Sequence, residues 1–129
     1  MAVISRKGEI KLLQATYELH NMALEAVDLV VNNDELLDLF YVNRDLWPAI
    51  KESWNKKQMD FQGRFDFAWD GKGEPKLLEY NADTPSLQIE SGKLSESWFR
   101  SFKYSDSKYR NYYESNWLHE AFRYAAMNI

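Results

Sequence analysis

A chain of 129 residues, 45% hydrophobic and 16% aromatic, is sized for one globular domain over residues 1–129 that buries roughly two thirds of its unfolded surface. The absence of cysteine excludes a disulfide scaffold, a zinc–thiolate centre and a thiol nucleophile, and a net charge of −4 without a basic stripe argues against a nucleic-acid partner, Lys56-Lys57 being too short a cationic run. No apolar run approaches the roughly 20 residues that span a bilayer and the N-terminus lacks a signal-peptide core, so the expectation is a cytoplasmic protein, or part of an intracellular assembly, with no membrane contact.

From about Gly8 to Asn32, Leu12, Thr16, Leu19, Ala23, Ala26, Val27 and Val30 recur at steps of three and four, which predicts a long amphipathic helix ended by Asn32 and Asn33. Asn33 then caps a second helix over Asp34–Phe40, with Asp34 and Glu35 in the first turn where the helix dipole favours acids. Pro48 opens a third, from Trp47 to about Lys56, and Trp47 and Trp54 are expected in the core or beneath a sheet. His20 and His119 fall in different helices without ligand-like spacing and are expected on helix surfaces or between helices.

The next stretch changes period. Asp70-Gly71-Lys72-Gly73-Glu74-Pro75 separates two apolar-rich runs, the pattern of a β-hairpin with strands at about 60–69 and 76–81. With Gly71 to Glu74 as a four-residue loop, Asp66 faces Glu79 and Arg64 faces Asn81 across the ribbon. Side chains alternate between faces, so these four emerge together while Phe65, Phe67, Leu78 and Tyr80 form the core face.

Two carboxylates directly opposite one another repel, and a cation is expected between them. Arg64 can supply it, its fork bridging one carboxylate as an ordinary surface ion pair. Alternatively, the two acids and the Asn81 amide oxygen are hard oxygen donors of the kind Mg²⁺ accepts while keeping water and substrate phosphates in its other positions. Arg64 would then bind a phosphate or acyl phosphate.

After the hairpin, Asp83 or Thr84 suits an N-cap and Pro85 the first position of a helix continued by Leu87, Glu90, Leu94 and Trp98. Its backbone N–H groups, with the hydroxyls of Thr84 and Ser86, would receive a carboxylate or phosphate; alternatively Thr84 only caps and Ser86 only fills the first turn. Leu94 and Trp98 are expected as its core anchors, with Gly92 costing about 1 kcal/mol relative to alanine. The last segment is aromatic-rich, and Trp117, Leu118, Ala121, Phe122 and Ala125 mark a further helix whose apolar face is core or a partner surface. The fold class is α/β, of the α+β kind: N-terminal helices, a hairpin, then C-terminal helices.

Gly63-Arg64-Phe65-Asp66-Phe67 and Pro75-Lys76-Leu77-Leu78-Glu79-Tyr80-Asn81-Ala82-Asp83-Thr84-Pro85, followed by Glu90 and Trp98 in register, resemble the N-terminal, pre-ATP-grasp part of the glutathionylspermidine synthase family. Met22 to Asp28, Leu46-Trp47-Pro48 and Ser53-Trp54 add weaker matches. The resemblance implies an ATP-dependent carboxylate–amine ligase that forms an acyl phosphate on the glycine carboxylate of glutathione, which a polyamine amine then attacks. It implies Mg²⁺ and ATP as cofactors, Arg64 as the catalytic position at the phosphates and reacting carboxylate, and Asp66, Glu79 and Asn81 as metal ligands. It also implies that Arg64, Phe65 and Asp66 bind the cofactor and that Thr84 and Ser86 hold the glutathione-like substrate.

The ATP-grasp lobes of such enzymes are expected beyond Ile129 or on a separate partner protein, so the chain alone is expected to lack ligase activity. A second class of function also fits: a non-catalytic structural or interaction protein derived from this domain and retained in a larger assembly such as a virion. Retention of Arg64, Asp66, Glu79 and Asn81 favours the ligase module, and the missing ATP-grasp lobes favour the second class.

Overall fold

A computed structural model describes residues 4–58, 62–84, 86 and 94–105. Their order is helix α1 (Arg6–Val31), helix α2 (Asp34–Leu39), a 3-10 turn (Arg44–Leu46), helix α3 (Trp47–Asn55), strands β1 (Arg64–Ala68) and β2 (Lys76–Asn81), and helix α4 (Ser95–Ser105). This is the mixed α+β architecture that the periodicities predict. The chain divides into two compact units, Met1–Asp60 with Phe65–Tyr80, and Phe61–Arg64 with Asn81–Ile129.

In the first unit, α1 is 26 residues long and therefore spans about 39 Å. Ser5 caps it by accepting from the Gly8 N–H at 3.1 Å, and Asn32 closes it by donating from its side chain to the Asp28 carbonyl at 2.9 Å. Asn33 caps α2 as its sequence position requires, its side-chain oxygen accepting from the N–H groups of Glu35 and Leu36. Helices α2 and α3 pack on α1, where Val31 and the fully buried Leu37 form the apolar centre.

Both short helices end in the left-handed conformation without glycine. Tyr41 (φ 55°) and Lys57 (φ 49°) hold that position, and each is followed by the pair of reverse hydrogen bonds of a Schellman closure. The two tryptophans of α3 serve the helices, not the sheet: Trp47 donates to the Val42 carbonyl at 3.0 Å and Trp54 to the Asp28 carboxylate of α1 at 2.6 Å. An ion pair between Lys51 and Asp34 joins α3 to α2.

The two strands form a two-stranded sheet. The turn is built by Asp70, whose Oδ1 accepts from the N–H groups of Lys72 and Gly73, both at 2.9 Å, while Gly71 takes φ 84°. The Trp69 indole N–H closes back onto the Gly73 carbonyl at 2.8 Å. Phe65 stacks on Tyr80 with ring centroids 3.9 Å apart and planes at 8°, and on Phe67 at 6.0 Å. A Phe65–Tyr80 pair is what the four-residue loop demands.

Two details differ from the sequence expectation. β1 begins at Arg64, residues 62 and 63 not being strand, and 59–61 lie outside the described residues. Leu78, assigned to the core face, is 70% exposed. A single helix about 10 Å wide covers only part of a ribbon face, and the side chains beyond it stay in water.

In the second unit, α4 buries Phe99, over which the Lys103 ammonium sits at 6.0 Å. Leu94 and Trp98, expected as the anchors, are each more than half exposed, because the inward position falls on Phe99 and Trp98 stacks sideways on Phe102 at 5.3 Å. Pro85, Leu87, Glu90 and Gly92 lie outside the described residues, as do His119 and the aromatic segment after Tyr104. No described helix is long and apolar enough to cross a membrane.

Candidate acid pair and arginine–hydroxyl site

The first unit contributes two acids. Asp66 is half-buried in the middle of β1 and Glu79 is exposed on β2. Because Phe65 stacks on Tyr80, their neighbours Asp66 and Glu79 stand across from each other on the opposite face of the ribbon. Phe65 itself, expected at the cofactor, lies with Tyr80 behind that face. Among the described residues no three His, Cys, Asp or Glu side chains gather as a metal cluster.

The second unit holds Arg64, Asn81, Thr84 and Ser86. Arg64 opens β1 and donates from Nη1 to the Ser86 hydroxyl at 3.1 Å, and at 3.5 Å to its carbonyl. Asn81 closes β2 and its Oδ1 accepts from the Thr84 N–H at 3.0 Å. That bond orients the amide and leaves one lone pair of the oxygen available. Thr84 lies in a bend held by Asn81, and any helix start at Pro85 is outside the described residues. Sequence reasoning thus identified Arg64 and Ser86 separately, and the fold joins them by a hydrogen bond.

One partner of this region was not foreseen. His20 of α1 shares a hydrogen bond of 3.3 Å between Nδ1 and the Tyr80 hydroxyl, ring edge to ring face with planes at 84°. Its expected place on a helix surface or between helices is therefore corrected to the contact of α1 with β2. The signal was present in the helical spacing, since His20 continues the inward row of Thr16 and Ala23.

Comparison with known proteins bears on both halves. The family described as glutathionylspermidine synthase preATP-grasp matches residues 2–128. The chain is similar to the bifunctional glutathionylspermidine synthetase/amidase of Escherichia coli (strain K12), 42% identical over 96 residues, which is 74% of this chain and 15% of that protein. It is similar to the trypanothione synthetase of Crithidia fasciculata, 39% identical over 85 residues, 65% of this chain and 13% of that protein. A putative acid–amine ligase of Haemophilus influenzae is 33% identical over 106 residues, 81% of this chain and 25% of that protein. The chain therefore spans a quarter or less of the length of these relatives.

Proposed function

The chain belongs to the glutathionylspermidine synthase preATP-grasp family, and on that premise we propose that residues 1–129 act as a single N-terminal module of an ATP-dependent carboxylate–amine ligase. The substrate carboxylate is glutathione-like and is activated as an acyl phosphate before an amine attacks it. The observation that supports this most is the Phe65–Tyr80 stack, because its register sets Asp66 opposite Glu79. Paired carboxylates are hard oxygen donors of the kind a divalent cation accepts.

The donor set fits a hard dication. Asp66 and Glu79 would hold Mg²⁺, which supplies charge neutralisation for phosphoryl transfer, and Asn81 is the third ligand that the family resemblance implies. Arg64 meets the ATP phosphates and the reacting carboxylate, held on its approach by the Ser86 hydroxyl. Ser86 and Thr84 take the glutathione-like carboxylate, and Phe65 backs the cofactor face. Positioning and electrostatics, not covalent chemistry by the protein, carry such a reaction.

Adenine and amine contacts belong to ATP-grasp lobes on a continuing or separate chain, so this module is inactive alone. A reaction that consumes ATP puts it in the cytoplasm. Mg²⁺ titration with and without ATP, in wild type and Glu79→Ala, tests the proposal. A response lost in Glu79→Ala is expected. No Glu79-dependent response supports the non-catalytic structural or interaction protein instead, and ATP turnover by the 129-residue chain refutes its dependence on further lobes.

A further inference from the structure

Helix α1 holds the hairpin at two places. At the turn, Lys11 donates to the Gly73 carbonyl at 3.2 Å and pairs with Glu74, and Gly8 lies beneath Trp69. Toward the other end the tether is His20 on Tyr80, a hydrogen bond of 3.3 Å with ring centroids 6.3 Å apart. From Lys11 to His20 the helix advances about 14 Å. The helix thus touches the hairpin at its turn and again at Tyr80.

A two-stranded ribbon is marginal in isolation, and its twist is more variable than that of a larger sheet. Glu79 directly precedes Tyr80 on the opposite face of β2. A rotation of the strand that swings the Tyr80 phenol therefore swings the Glu79 carboxylate the other way. Phe65 fixes the plane of the Tyr80 ring by stacking, and His20 fixes where its hydroxyl end rests. We propose that His20 is a positioning residue which, through Tyr80, sets the aim of Glu79 toward the metal. This inference rests on the metal-binding reading of Asp66 and Glu79.

Partners that hydrogen-bond a metal ligand directly typically contribute 10- to 100-fold in metal affinity, and His20, acting one residue removed, falls at or below the lower end of that range. The test is Mg²⁺ titration of the full chain followed by NMR at the Glu79 amide. His20→Ala is expected to weaken Mg²⁺ binding about tenfold. Tyr80→Phe, which removes only the hydroxyl, is expected to match it, and the double variant to add nothing. His20→Asn, with an amide near the Nδ1 position, is expected to recover most of the loss. Folded His20→Ala and Tyr80→Phe proteins with wild-type Mg²⁺ affinity would overturn the proposal while leaving the metal site standing.

A wild type without a Glu79-dependent response removes the metal site, and the aiming role with it. Amide exchange in metal-free protein then reports the anchoring alone. His20→Ala is expected to speed exchange at least about tenfold at whichever of the Glu79 and Tyr80 N–H groups points to β1 in the ladder, and to leave the protected amides of α2 unchanged. An unchanged rate at that amide counts against any anchoring by His20.

Discussion

The Tyr80 ring lies flat on Phe65, 3.9 Å between centroids and 8° between planes, although the two residues belong to different strands. The pair favours this hairpin register, since a slip by one residue would place the two rings on opposite faces and break the stack. A fully buried Phe→Ala change typically destabilises by about 3–5 kcal/mol. Phe65 is half-buried, so Phe65→Ala is expected to lose about 2 kcal/mol, read from the urea midpoint, and Phe65→Leu about half of that. A shift within error for Phe65→Ala would mean that the turn alone sets the register.

Much of this was legible because side chains advertise it locally. Asn33 caps α2 with its own oxygen, Pro48 lies in the first turn of α3, and Asp70-Gly71 builds its turn from a carboxylate and a left-handed glycine. What was not legible is tertiary or lacks a compositional mark. The closures at Tyr41 and Lys57 use residues that ordinarily avoid positive φ, so no glycine betrayed them. His20 and Tyr80 are 60 residues apart, and only the folded helix–strand contact reveals their bond. The choice of Phe99 over Leu94 and Trp98 as the inward residue of α4 depends on the helix rotation, which an aromatic-rich stretch leaves open.

Gly8 is in a helix yet is not a weak point of it. A Cβ there would come 2.7 Å from the Cη2 atom of Trp69, whose indole N–H is committed to the Gly73 carbonyl at 2.8 Å. Alanine would gain about 1 kcal/mol in helix propensity, but overpacking against a held ring typically costs about 1–3 kcal/mol. Gly8→Ala is therefore expected to be destabilising by about 1 kcal/mol. In a Trp69→Phe background the same change is expected to become neutral or stabilising, which equilibrium unfolding of the four proteins would reveal. Additivity across that cycle would show that Trp69 is not the obstacle.

Tyr41 presents the reverse case. It holds φ 55° at the left-handed position after α2, and its side chain is 95% exposed, so it gives little packing in return for the strained backbone. Tyr41→Gly is expected to raise stability by about 1 kcal/mol, the usual penalty for an L-residue in this region, and to preserve the bond from the Val42 N–H to the Leu37 carbonyl. Chemical denaturation measures the first and amide exchange at Val42 the second. A destabilised glycine variant would assign the exposed ring a packing role that the fold does not display.

Asp70 gives the hairpin a pH dependence with a definite sign. The N–H groups of Gly73 and Lys72, in that order of influence, hold its carboxyl below the ordinary aspartate range. A lowered folded-state pKa means that the unfolded chain takes up the proton first as pH falls. The contribution of the ionised form to stability is then complete above the unfolded value of about 4 and is lost as pH drops through the lower folded value. Asp70→Asn keeps an oxygen for both N–H groups but removes the charge. Wild type is therefore expected to exceed Asp70→Asn in stability at pH 5, and the gap to shrink as pH falls below the unfolded value. Urea melts of both proteins over that range of pH measure the gap, and a gap that stays constant with pH would show that the oxygen, and not its charge, holds the turn.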